Sequence, residues 1–255
     1  MDAFHFHRGE GPLLVSMPHV GLEIPDEIKA NMTEVALSLI DTDWYIDRLY
    51  DFLAEMDISI ISANYSRYVI DLNRGTDGVS LYPGKTVTEL CPTTSFDGDP
   101  LYKNGHMPNT KDRTKKYWKP YHDKIAQELK RIKERHGRAM LWDAHSIKSH
   151  VKALFDGRLP DLNLGTGNGI SAGHDLVEKL DAIISHSNFS SALNGRFKGG
   201  YITRHYGDPK DNIHAVQLEI SQITYMDEAP NMKFQEDRAN QLRSVLRTLI
   251  ETMIE

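Results

Sequence analysis

One cysteine, Cys91, stands in the whole 255-residue chain. No disulfide can form within it, so a reducing, cytoplasmic home is expected. Long apolar runs are missing too, since nothing approaches the roughly 18 residues of a membrane span. The N-terminal stretch MDAFHFHRGEG has neither the basic nor the apolar block of a signal peptide. Positive charge is in short supply: 30 Lys and Arg face 36 Asp and Glu, for a formal net charge of −6. No basic block offsets that deficit, which argues against nucleic acid as the main partner. Internal repeats, linkers and low-complexity tracts are absent as well, so one domain over residues 1–255 is expected. No feature specifies an assembly state.

What is present alternates between strand and helix patterns. PLLVSMPHVG opens with an apolar strand over 13–17 that ends at Pro18 and His19. DTDWYIDRLYDFLAEMD reads as a helix, with Ile46, Leu49, Tyr50 and Leu53 at helical spacing and Asp41 or Thr42 as its cap. Two β-branched runs follow, over 58–62 and 67–72. Residues 75–110 are rich in Gly, Pro, Thr and Asp without a period, and a segment of that length in a compact domain is usually functional. An amphipathic helix is expected over 112–135, with a kink at Pro120. The run MLW, residues 140–142, predicts a strand, and a loop through FDGRLPDLNLGTGNG comes next. Helices fit 172–185 and 236–254, and IHAVQLEIS fits a strand. GRFKGGYITRHYGDP reads as a second Gly-rich polar stretch, with Gly199-Gly200 as a turn. The alternation indicates an α/β fold with a mixed or mostly parallel sheet flanked by helices.

Polar residues gather where these strands should end. MLWDAHSI delivers Asp143, His145 and Ser146 at the exit of an apolar run, and open α/β sheets bind ligands at such exits. His19 stands after the first strand in the same way. Imidazole is a common zinc ligand, and a catalytic zinc needs three protein ligands plus an open position. Glu23, Asp41 and Asp43 are candidates for the third. The spacing follows no compact motif such as HExxH, so hydrogen-bonded histidines at strand ends fit the spacing equally well. Glu219 shares a strand face with Gln217; it is either solvent-facing or kept for work in a site. Arg67, Arg74 and Arg204 offer planar forks for carboxylates, and any one of them alone also reads as a surface residue.

Taken together, PHVGLEIP, DTDW, SRYVIDLNR, LYPGKTVTELCPTTSFDGDPLY, MLWDAHSIKS, LFDGRLPDLNLGT, NGRFKGGYITRHYG and HAVQLEISQ resemble the N-formylglutamate amidohydrolases, from about residue 10 to the C-terminus. That family resembles in turn the zinc carboxypeptidases and aspartoacylases. The resemblance implies a single-domain, zinc-carboxypeptidase-like (phosphorylase/hydrolase-like) α/β fold and hydrolysis of N-formyl-L-glutamate in histidine breakdown. It also implies a small-molecule substrate and no membrane partner. His145 matches the strand-end zinc histidine, His19 the early one, and Glu219 the general base. Asn73 and Arg74 match the pair that holds a substrate carboxylate. The carboxypeptidase pattern puts its acidic ligand three residues after the first histidine, where this chain has Leu22, with Glu23 one residue further on. The DTDW segment makes Asp43 the implied third ligand, with Asp41 and Glu23 as alternatives. On this reading Arg67 stabilises the oxyanion, Arg204 takes the second carboxylate, and Asp143 orients His145. A deacylase of another N-acyl amino acid, a carboxypeptidase-like hydrolase and a non-catalytic binder of acidic amino acids fit the same residues.

Overall fold

In the computed structural model of the chain, residues 2–79 and 88–255 are described. Residues 80–87, part of the unpatterned 75–110 stretch and of the LYPGKTVTEL segment, lie outside them.

Among the described residues, seven strands form one mixed sheet in the order β1-β3-β2-β4-β7-β5-β6. They are β1 (Phe4–His7), β2 (Leu13–Met17), β3 (Ser59–Ala63), β4 (Ala139–Ile147), β5 (Leu162–Gly165), β6 (Ser191–Leu193) and β7 (Ile213–Ser221). The central four, β3, β2, β4 and β7, run parallel; β1 joins β3 and β5 joins β7 antiparallel. All nine residues of β4 are buried, as expected of a central strand with both faces covered.

Alternation along the strands sorts the side chains into two layers. Leu13, Val15, Trp142, Ala144, Val216 and Leu218 share one apolar cluster with Leu180 and Ile184 of the His174–Ser185 helix and Leu242, Leu246 and Leu249 of the Glu236–Ile254 helix. Leu14, Ile61, Leu141 and Ala215 share another with Tyr121, Ile125, Leu129 and Ile132 of the Lys119–His136 helix. On this second face β4 runs from Leu141 to Asp143 and His145, and β7 from Ala215 to Gln217 and Glu219. The face turns from apolar to polar toward the carboxyl ends of the parallel strands.

Several local expectations are corrected. The strand at 140–142 extends through Ile147, because its pairing with β7 continues as far as Ile147 opposite Ser221; Asp143 and His145 therefore lie within the strand. The 67–72 run is no strand. Tyr68, Val69, Ile70 and Leu72 are all buried, and a turn brings Arg67 within 2.8 Å of Asp71. The helix expected from residue 41 shrinks to Ile46–Leu49 followed by a 3₁₀ segment, Asp51–Glu55. Tyr45 precedes it in left-handed conformation, without a side-chain cap, so neither Asp41 nor Thr42 caps it, and both are buried. The helix expected over 112–135 begins at Thr110, capped by Asn109, and passes through a π-helical turn at Thr114–Trp118. Pro120 follows directly on that π-helical turn, inside the helical run, where its missing N–H interrupts the backbone ladder. The Gly-rich stretch contains a helix, Tyr201–Tyr206, and the FDGRLPDLNLGTGNG loop contains β5.

Candidate metal centre and active-site pocket

Parallel pairing alone places the core of the site. His145 lies opposite Glu219 in the β4–β7 register, and Asp143 lies opposite both Ser16 and Gln217. His19 comes two residues after β2, next to β4 in the sheet. Asp43 reaches the same place because its backbone N–H donates to the His19 carbonyl, at 3.1 Å.

The side chains converge as a group able to hold a metal ion: one ligand atom each from His19, Asp43 and His145 lies within 4.8 Å of the others. All three residues are buried. Asp43 Oδ2 is 3.0 Å from His145 Nδ1 and 3.7 Å from His19 Nδ1. The opposite nitrogens rest on carboxylates, His19 Nε2 at 2.7 Å from Asp71 Oδ1 and His145 Nε2 at 3.0 Å from Asp143 Oδ2. A carboxylate behind each imidazole fixes ring orientation and raises ligand basicity. Among the described residues, His19 Nδ1 and Asp43 Oδ1 are buried without a hydrogen-bond partner. A buried polar atom left unpaired costs roughly 1–3 kcal/mol, and a cation in this group would partner both. Among the alternatives for the acidic ligand, Glu23 is exposed. Asp41 instead accepts from Tyr68 Oη and the Phe96 N–H, both at 2.7 Å.

Around this centre lies a pocket with an empty volume of about 570 Å³, part of it open to solvent. It is lined by His19, His145, Arg67, Asn73, Arg74 and Glu219 among the expected residues. Glu219 is 7 % exposed, so the solvent-facing reading does not hold. Burial pushes its carboxyl up, to about 8, with Asp43 and Asp143 adding to the rise against His145 and Arg67. Gln217 Nε2 donates to Glu219 Oε2 at 3.3 Å, and Gln217 Oε1 accepts from the Gly200 N–H at 2.7 Å. Arg67 is held by Asp71 at 2.8 Å and lies 3.5 Å from Asp43. Burial opposes its charge, and Asp71, Asp43 and Asp41 outweigh that opposition. Asn73 Nδ2 is 2.9 Å from His145 Nε2. The Arg74 fork donates to Thr88 O, Thr88 Oγ1 and Asn73 O.

Arg204 stands apart from the pocket lining, its Nε donating to the Gly199 carbonyl at 2.8 Å. Gly199 and Gly200 form no turn; Gly200 caps the Tyr201–Tyr206 helix, and a Cβ on it would stand 2.3 Å from Asn73 Nδ2. Sequence reasoning placed Gln217 only as a face neighbour of Glu219 and passed over Asp71, Arg196 and Phe197. An acid inside the apolar run VIDL was an available signal for Asp71. Arg196 and Phe197 lie on a loop without a period.

Replacing Asp143 by asparagine is expected to weaken metal binding by about 10–100-fold while the fold persists, as for other partners of ligating histidines. Titration against a competing chelator measures this. Affinity equal to that of the parent would mean that His145 is oriented by other groups.

The profile of the N-formylglutamate amidohydrolase family matches residues 11–226. An N-formylglutamate deformylase of Pseudomonas putida is 50% identical over 254 residues, covering 98% of this chain and 94% of the relative. One from Pseudomonas aeruginosa is 50% identical over 257 residues, covering 99% and 96%. The fold matches the crystal structure of an N-formylglutamate amidohydrolase from Ralstonia eutropha with a TM-score of 0.82 at 21% identity, over 99% of this chain and 98% of the other. A gene product of Agrobacterium tumefaciens matches with a TM-score of 0.74 at 17% identity, over 100% and 97%. With half of its residues shared along nearly its full length, this chain belongs to the N-formylglutamate amidohydrolase family.

Proposed function

We propose that the chain is a zinc-dependent hydrolase that converts N-formyl-L-glutamate and water to formate and L-glutamate, a step of histidine degradation. The observation that carries this reading is the buried His19–Asp43–His145 group with Glu219 beside His145 in the sheet register. The curated relatives named as N-formylglutamate deformylases support the choice of substrate.

Two imidazoles and one carboxylate are a donor set suited to zinc, and His19, Asp43 and His145 would hold it. When bound, zinc acts as a Lewis acid that lowers the pKa of water towards about 7 and polarises a carbonyl. Glu219 takes a proton from the attacking water as its oxygen bonds to the formyl carbon. The same carboxyl then delivers that proton to the amino nitrogen as the C–N bond breaks, releasing formate and the free amine. Arg67 lines the pocket beside Asp43 and offers N–H groups to the developing oxyanion. Arg74, placed by Asn73, offers its fork to a substrate carboxylate. No helix among the described residues is long and apolar enough to cross a membrane. The single cysteine suits action in the cytoplasm.

The test is formate release from N-formyl-L-glutamate by protein stripped of metal and then reloaded with zinc. Activity that returns with stoichiometric zinc supports the reading, whereas tight binding without formate release would mark a non-catalytic binder. A panel of N-acetyl and larger N-acyl glutamates separates the formyl-specific enzyme from a broader deacylase. Arg74→Lys is expected to raise KM about ten- to a hundredfold with metal content unchanged. A point charge replaces a planar fork there, and a hydrogen bond to a charged group is worth about 1.5–3 kcal/mol. Unchanged kinetics would remove Arg74 from substrate binding.

A further inference from the structure

A substrate with two carboxylates needs two cationic contacts, and the arginines of the pocket are not equivalent. Arg67, Arg74 and Arg196 all line it. Arg67 is already committed to Asp71, at 2.8 Å, and to Asp43, at 3.5 Å, so its charge is matched inside the protein. The Arg74 fork rests on a hydroxyl and backbone carbonyls.

Arg196 reaches the pocket from a different segment of the chain. It follows β6, its Nε donates to the Leu154 carbonyl, and its guanidinium carbon lies 5.3 Å from the centroid of the Phe197 ring. Leu154 and Phe197 are in turn seated on the apolar cluster of Phe96, Ile147, Val151 and Leu159. A carbonyl and an aromatic ring thus help to set the plane of this guanidinium, and pre-setting of that kind favours a bidentate contact.

Resting on the functional reading above, we propose that Arg196 is the specificity-determining residue for the acidic side chain: it receives the distal carboxylate of the substrate, while Arg74 receives the α-carboxylate. The assignment follows from the neighbours of each arginine. Arg74 is bonded in the chain to Asn73, whose amide lies 2.9 Å from His145 Nε2. The α-carboxylate sits on the carbon that bears the scissile nitrogen, so it belongs on that side. The distal carboxylate lies beyond a short methylene chain, for which Leu154 and Phe197 provide apolar lining next to Arg196. Arg204 does not line the pocket, and its Nε faces the Gly199 carbonyl.

The experiment compares N-formyl-L-glutamate with N-formyl-L-glutamine, which has nearly the same shape and no distal charge, on the zinc-loaded enzyme. The wild type is expected to prefer the glutamate substrate, and Arg196→Gln to raise its KM by roughly ten- to a hundredfold. With kcat, zinc content and turnover of the glutamine analogue nearly unchanged, the preference collapses. Arg196→Lys, which keeps the charge without the fork, is expected to show an intermediate KM, and it stands in if the glutamine variant does not fold. A preference retained by Arg196→Gln, a lysine variant identical to wild type, or a preference lost in Arg204→Gln instead overturns the assignment. A wild type that turns over N-formyl-L-glutamate without preferring it overturns the assignment alone. Absence of formate release by the wild type overturns the functional reading, and the assignment with it.

Discussion

Glu219→Gln is expected to lower kcat for N-formyl-L-glutamate by at least about a hundredfold while zinc content and KM stay near wild type. Glutamine keeps the size of the side chain and can still meet Gln217, whose Nε2 is 3.3 Å from Glu219 Oε2. It cannot accept the proton of an attacking water, and general acid–base catalysis contributes typically about 10²–10⁴-fold. The strand is insensitive to the change, because β7 pairs through its backbone with β4 on one side and β5 on the other. Removing a buried carboxyl whose affinity for protons is raised by desolvation relieves a cost, so the melting temperature should hold or rise. Measuring kcat, KM, zinc and Tm on one variant separates three roles. A proton carrier loses only kcat, a metal ligand loses zinc as well, and a packing residue loses stability with little change in rate.

Period-two patterning made the sheet floor of the site legible in the sequence. LLVSM, MLW and IHAVQLEIS are apolar enough to be central strands, and the pairing of Gln217 with Glu219 on one face follows from alternation alone. Register was not legible. That His145 lies opposite Glu219 depends on β4 and β7 being neighbours, although 65 residues or more of chain separate them in part by two other strands. The 67–72 run shows the opposite failure. Its β-branched residues carry strand propensity, but burial in the second apolar cluster overrides it. The resulting turn is what joins Arg67 to Asp71, and Asp71 to His19. The pocket wall around Arg196 was the least legible part, since loop contacts such as that to the Leu154 carbonyl leave no periodic trace.

Loss of the carboxylate proposed as the acidic ligand should have the widest consequences of any single change. Asp43→Ala and Asp43→Asn are both expected to lose bound zinc and to bring formate release to background. Removing a ligating group costs more than the roughly 10–100-fold seen for groups behind the ligands. The two variants should differ in stability. Asp43 Oδ2 also accepts the Ser146 N–H at 3.2 Å, and its Oδ1 lies 3.5 Å from Arg67. Alanine leaves that buried N–H unpaired and a buried guanidinium with one fewer carboxylate. Asparagine keeps the acceptor and the shape, so its melting temperature should lie above that of the alanine variant. Glu23→Ala is the control for the alternative ligand. The Glu23 side chain is exposed, and its attachment to the fold is through its backbone, with its N–H on Asn64 O at 3.0 Å and its carbonyl accepting from Ser66 at 2.9 Å. Those bonds survive the substitution, so zinc and activity should remain. Zinc retained by both Asp43 variants, or lost by Glu23→Ala, would move the acidic ligand away from the His19–His145 pair and with it the position of the attacking water relative to Glu219.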